Sequence, residues 1–286
     1  MKTTPKTATA LKAKSRNLSE ASATPSHIIQ RNFFLERFIE RAALSPYHND
    51  FVIKGGMLIS SIIGIDLRAT VDLDATLRGR DLDGNDVQKI VNDVIGIDLG
   101  DNMRFTFSSA ERTRVESDYP GWRVSLEVEF DKIRDTLKLD ITTGDVITPR
   151  AVEYSYKLMF EDRSVSVLAY NLETVLAEKF TACIYLGTAN TRMKDYYDIY
   201  ILQRLRSSEI DRATLADALK RTSTQRRVSL DDCSLVLDEI ADNDEMLKLW
   251  KRYLSDNKYA EGIQFADTIA ALRTLTEWGQ LDTERA

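Results

Sequence analysis

Asp72 and Asp74 stand two residues apart in TVDLDATL (70–77), where Val71, Leu73 and Ala75 alternate with Asp72, Asp74 and Thr76. That alternation predicts a strand with one apolar face. It puts both carboxylates on the other face, roughly 6–7 Å apart along the backbone. Like charges so placed repel unless something positive lies between them, and a divalent cation is the obvious neutraliser. LKLDIT (137–142) repeats the pattern, with Asp140 among the polar positions. If its strand neighbours the first, Asp140 completes a three-carboxylate site (Asp72, Asp74, Asp140) for one or two Mg²⁺ or Mn²⁺ ions. Such a site can clamp a nucleotide's phosphates, deprotonate an attacking hydroxyl and stabilise leaving pyrophosphate. Aspartate is disfavoured in strands, so its recurrence on two of them points to chemistry. An isolated D-x-D would equally fit a solvated strand face.

Lys54, Gly55 and Gly56 follow an apolar strand-like run and open a helix-like one. Glycine there lets backbone N–H groups approach a phosphate, and a helix N-terminus adds a favourable dipole. A tight strand–helix turn would also need glycine, so the position ahead of D-x-D is what gives the pair meaning. Two more clusters lie further on. Lys179 sits mid-helix in NLETVLAEKFTACIYL (171–186), and RMKDYYDIY (192–200) carries Arg192 with Asp195 and Asp198 on one helical face. Lys179 or Arg192 could neutralise triphosphate charge and Asp198 could orient the lysine. The same residues also read as helix-surface salt bridges.

The elements that must position these groups follow from periodicity. Helical spacing is expected over 27–43, a short buried strand at FVIK (51–54), and a helix MLISSII (57–63) beginning at the glycine pair. A helix over 86–95 follows the DLDGN turn (81–85). Strands are expected near 103–109, 121–130 and 135–142, with Pro120-Gly121 as punctuation, and again at 165–170. The helix at 171 has Asn171 as N-cap and Glu173 in its first turn. Residues 193–286 are helical in pattern and contain no proline. The expected division is a loose basic arm over 1–25, an α/β core over 26–150 and a mainly helical domain over 151–286.

Composition narrows the chemistry. With 286 residues, 43% hydrophobic and 29% charged, the chain reads as globular. His27 and His48 are its only histidines and Cys183 and Cys233 its only cysteines. A His/Cys zinc site is therefore excluded, and any metal must be held by carboxylates, which favours a hard ion. Sparse cysteine suits a reducing cytoplasm, and no run approaches a membrane span. A net charge of −6 argues against coating nucleic acid by bulk electrostatics. The first 19 residues hold Lys2, Lys6, Lys12, Lys14 and Arg16 and no acid, so the N-terminal arm could touch phosphate.

Taken together, KGGMLISSIIGIDLRATVDLDATL, LKLDIT and LETVLAEKFTACIYLGTANTRMKDYYDIYIL resemble the AbiEii/AbiGii nucleotidyltransferase toxins over about residues 28–205. The resemblance implies a DNA polymerase β-like nucleotidyltransferase core with a mixed sheet, α/β (α+β) in class, and a helical C-terminal domain. It implies the toxin of a bacterial toxin–antitoxin or phage-defence pair, restrained by a separately encoded antitoxin. Related toxins transfer a nucleotide from an NTP to the 3′ end of tRNA. Residue by residue, Gly55 and Gly56 would hold phosphate, Asp72 and Asp74 would bind Mg²⁺, Lys179 would contact the triphosphate, and Asp198 would be its acidic partner. Arg68 and Thr70 match the R-x-T before D-x-D, so Arg68 would steer phosphate or RNA. Position 56 is Gly where many nucleotidyltransferases carry Ser. Other readings stay open: nucleotidylation of protein, transfer of a γ-phosphate as a kinase, and target binding without catalysis.

Overall fold

The computed structural model describes residues 3–22, 24–79, 82–113 and 121–281. Lys2, Asp81 and Pro120 from the sequence reading lie outside these residues. The chain divides into two compact units, residues 1–145 with 151–170, and residues 146–150 with 171–286.

The first unit is built on a seven-stranded mixed sheet. Its strands are β1 (Phe51–Lys54), β2 (Asp72–Leu77), β3 (Met103–Thr113), β4 (Gly121–Phe130), β5 (Ile133–Thr143), β6 (Val152–Lys157) and β7 (Ser164–Ala169), in the order β3-β4-β5-β2-β1-β7-β6. β2 runs parallel to β5 and antiparallel to β1, and β1 runs parallel to β7. One face is apolar. Leu73, Ala75 and Leu77 of β2, Leu137, Leu139 and Ile141 of β5 and Val124, Leu126 and Val128 of β4 are all buried there. Helix α2 (Ser26–Leu44) covers that face with three phenylalanines. Phe33 and Phe34 meet Phe130 at ring separations of 6.0 and 6.2 Å, and Phe38 meets Phe51 at 5.9 Å. Each such ring contributes about 1.5–3 kcal/mol by leaving water, which pins the sheet's polar residues to the opposite face.

Two connections matter for the site. Helix α3 (Gly55–Ile63) begins directly at the end of β1, and Gly55 adopts φ +62°. The turn between β4 and β5 has only Asp131 and Lys132 outside the ladder, with Asp131 at φ 52°. That left-handed conformation suits a two-residue hairpin whose twist matches its strands. Helix α4 (Gly84–Ile95) starts at a capping box formed by Asp83 and Asp86.

Two expectations need correction, and one strand was not foreseen. Residues 8–22 are not a loose arm: α1 (Ala8–Ser22) places Ala8, Leu11 and Ser15 in a buried stripe against α2, and the Ala8 N–H donates to Asp131 at 3.0 Å. Spacing of i, i+3 and i+7 with small flanking residues lets this helix pack closely although its outer face is polar. The core does not end at residue 150, because β6 and β7 belong to the sheet while residues 146–150 join the helical unit. β6 escaped the sequence reading because it is an edge strand with Tyr156 alone fully buried, so it lacks apolar alternation.

The second unit is helical: α5 (Leu172–Leu186), α6 (Met193–Arg206), α7 (Arg212–Arg226), α8 (Cys233–Ala241), α9 (Asp244–Asp256) and α10 (Phe265–Trp278). Asn171 caps α5, accepting from the Thr174 N–H at 3.1 Å. α5 packs on α7 and α6, and α6 packs on α10. Among the described residues no helix is long and apolar enough to cross a membrane.

Candidate active site

Strand register assembles the polar face into rows. Asp74 pairs with Asp140 across the parallel β2–β5 ladder, with Lys54 on its other side, and Asp140 pairs in turn with Arg123 of β4. One transverse row therefore reads Lys54, Asp74, Asp140, Arg123: cation, anion, anion, cation. Asp72 lies one row away beside Lys138, and Thr76 beside Thr142 lies one row away on the other side.

Gly55 owes its identity to this row, and Gly56 owes its own to Thr70. A Cβ on Gly55 would stand 2.0 Å from Oδ2 of Asp74, and one on Gly56 would stand 2.6 Å from Oγ1 of Thr70. No larger residue fits either position without moving a neighbour. The serine expected at 56 from many nucleotidyltransferases would collide with Thr70. The Gly56 N–H donates to Oδ2 of Asp74 at 3.3 Å, so this amide serves the carboxylate beside it.

Asp140 is held by Arg123 in a bidentate pair, Nε to Oδ1 and Nη2 to Oδ2, both at 2.8 Å. The hydrogen bonds and charge of Asp140, reinforced by Asp72 and Asp74, raise the Arg123 pKa above its ordinary value. The guanidinium therefore senses all three carboxylates. Asp72 also acts on Arg31, whose guanidinium is bound to Asp135 at 2.6 Å.

Lys54 was expected to bind phosphate. Its ammonium is instead committed inside the protein, 2.5 Å from Asp145 and 2.7 Å from Oγ1 of Thr142, with the Tyr170 ring 5.4 Å away. Asp145 also accepts from Thr76 at 2.6 Å and from Thr142. Burial pushes the Asp145 carboxyl upward, but Lys54 and the two threonine hydroxyls outweigh it and hold the group well below the usual carboxylate range. Arg68 is likewise buried, donating to the Ala69 carbonyl.

Asp72, Asp74 and Asp140 share one face and adjacent rows, yet among the described residues no three His, Cys, Asp or Glu side chains are gathered closely enough to hold a metal ion. Mutual repulsion and the two hydrogen bonds from Arg123 account for Asp140 lying on its arginine. The donor set, hard carboxylate oxygens beside a glycine turn, nevertheless fits Mg²⁺ or Mn²⁺ in its chemistry.

In the helical unit, Lys179 bridges two fully buried carboxylates, Asp195 at 2.8 Å and Asp198 at 2.7 Å. Arg192, half-exposed, meets the other oxygen of Asp195 at 2.9 Å. These are not surface salt bridges: two cations balance two anions that water cannot reach. Nearby, burial and the Asp195 charge push the Cys183 thiol well above its usual range, leaving it unreactive.

Arg123 and Asp145 were missed by sequence reasoning. For Arg123 a signal existed, since counting back from the Asp131-Lys132 turn places it opposite Asp140. Asp145 follows β5 in a loop and carries no such signal.

The family model "Nucleotidyl transferase AbiEii toxin, Type IV TA system" matches residues 37–271. The chain belongs to this family of nucleotidyltransferase toxins. Among solved structures, MenT4, a nucleotidyltransferase toxin of Mycobacterium tuberculosis H37Rv, is similar over 95% of this chain and 99% of its own, with a TM-score of 0.57 and 14% identity. JHP933 of Helicobacter pylori is similar over 90% of this chain and 93% of its own, at TM-score 0.52 and 14% identity. At such identity the likeness concerns the fold, a nucleotidyltransferase core with a helical C-terminal part. Among curated proteins none matches the chain in sequence. As an AbiEii toxin, the chain is a transferase acting on an NTP and is paired with a separate antitoxin.

Proposed function

We propose that this AbiEii toxin transfers a nucleoside monophosphate from an NTP to the 3′ end of tRNA in a divalent-ion-dependent reaction, as part of phage defence in the cytoplasm. The observation that carries the reading is the row of Asp74 and Asp140 on one sheet face, with Asp72 beside it and the glycine turn against Asp74. Asp72, Asp74 and Asp140 would hold Mg²⁺. Bound there, the ion would supply positive charge for the transferred phosphoryl group and the leaving pyrophosphate. Asp140 accepts the proton of the attacking hydroxyl. Gly55 and Gly56 let the nucleotide phosphates approach the backbone. Lys179, its ammonium oriented by Asp195 and Asp198, is the lysine that the family resemblance assigns to the triphosphate, and Arg192 adds positive charge. The acceptor oxygen forms a bond to the α-phosphorus as the bond to the β-phosphate oxygen breaks.

The test incubates the full-length protein with α-³²P-labelled NTPs and total RNA or total protein. Label is expected in small RNA with the wild type and at background with Asp72→Ala and Asp74→Ala. Labelling by either variant at the wild-type rate overturns the assignment of the carboxylates. Label confined to protein overturns the RNA acceptor.

A further inference from the structure

The two ends of the charged row differ. Lys54 is 7% exposed and tied into a buried network, whereas Arg123 is 45% exposed and gives both its hydrogen bonds to Asp140. We propose that Arg123 is a nucleotide-binding residue: Asp140 exchanges Arg123 for a divalent ion, and the guanidinium so released binds the polyphosphate of the NTP. This rests on the reading of the site given above.

The Arg123 fork occupies one lone pair on each oxygen of Asp140, so a divalent ion arriving at that carboxylate competes with the guanidinium for its negative charge. Without an ion, Arg123 is the exposed cation that answers the charge of Asp140, and it also senses Asp72 and Asp74. Once an ion neutralises Asp140, that attraction lapses. A guanidinium presents a planar fork that matches phosphate oxygens as well as it matches a carboxylate. Its place at the end of the row leaves it one strand from Asp140 and two from Asp74. A purely structural role is disfavoured, because half-exposed ion pairs stabilise a fold weakly.

Competition gives opposite signs for two ligands, which a structural salt bridge would not. The experiment titrates Mn²⁺ alone into the full-length protein, followed by electron paramagnetic resonance. It then titrates an α,β-methylene NTP analogue at saturating Mn²⁺, followed by calorimetry. Relative to wild type, Arg123→Gln should bind Mn²⁺ alone about three- to tenfold more tightly, the gain expected from removing a bidentate competitor. It should bind the analogue roughly tenfold or more weakly, as loss of a charge-assisted fork predicts. Arg123→Lys keeps the charge but loses the fork, and should change both affinities in the same directions by less. It replaces the glutamine variant if that one fails to fold, judged by circular dichroism and thermal melting. Unchanged Mn²⁺ affinity or unchanged analogue affinity in a folded variant overturns the exchange. Wild-type protein that binds neither Mn²⁺ nor the analogue overturns the active-site reading itself.

Discussion

Gly55→Ala is the substitution whose effect the structure specifies most closely. Its consequences divide into a backbone part and a contact part. At φ +62°, an alanine costs about 1–2 kcal/mol of folding stability, because Cβ crowds the following carbonyl. The new Cβ would stand 2.0 Å from Oδ2 of Asp74 and 2.6 Å from its Cγ, where ordinary contact begins at 3.4 Å. Asp74 must therefore retreat by about 1 Å or more, and displacements of that size at a reacting centre lower rates by roughly 10²-fold. Gly100→Ala is the control: Gly100 has φ +63°, yet its Cβ would meet nothing within 4 Å. Urea denaturation should show Gly100→Ala destabilised by ~1–2 kcal/mol and Gly55→Ala by at least as much, the clash with Asp74 adding to the backbone part. Labelling from α-³²P NTP should then fall about 10²-fold in Gly55→Ala and stay near wild type in Gly100→Ala. Equal activity of the two variants would refute the claim that glycine at 55 exists to admit the carboxylate.

Three further outcomes follow from the packing. Lys54→Met and Asp145→Asn should each destabilise the protein by about 3–5 kcal/mol, since either leaves a buried charge unpaired; urea melts of the singles and the double test this, and the double should lose less than the sum. Burial pushes the Glu36 carboxyl up to about 8, with Glu161 and Glu40 nearby adding to the rise and Arg37 and the Met159 N–H opposing it. Its folded value lies above its unfolded one, so its contribution is fully present below about pH 4.5 and is lost as pH rises through about 8. Relative to Glu36→Gln, which keeps the acceptor for Met159, the wild type should lose on the order of 2–4 kcal/mol between those limits; parallel pH–stability curves would contradict the buried neutral acid. Leu11 is fully buried in α1, and Leu11→Ala should cost about 2–5 kcal/mol; a calorimetric melt unchanged from wild type would return this segment to the status of a free arm.

What local pattern encodes was legible in the sequence. Alternation in 70–77 and 137–142 determined which residues of β2 and β5 share a face, because side chains on a strand point to opposite sides in turn whatever the strand pairs with. The helical period of α2, the cap at Asn171 and the helix beginning at the glycine pair were readable for the same reason. The ordered motifs, read together, also pointed to the family. Pairing between distant segments was decided only in three dimensions. That Asp74 lies opposite Asp140 depends on β2 and β5 being parallel neighbours, and Lys54 meets Asp145 only once β1 has joined the same sheet. The burial of Asp195 and Asp198 against Lys179 came likewise from helices closing over them. A carboxylate on one strand is the same residue whether it faces water, a metal ion or an arginine. Which of these it meets is settled by the register of strands far apart in the chain, where no local periodicity reaches.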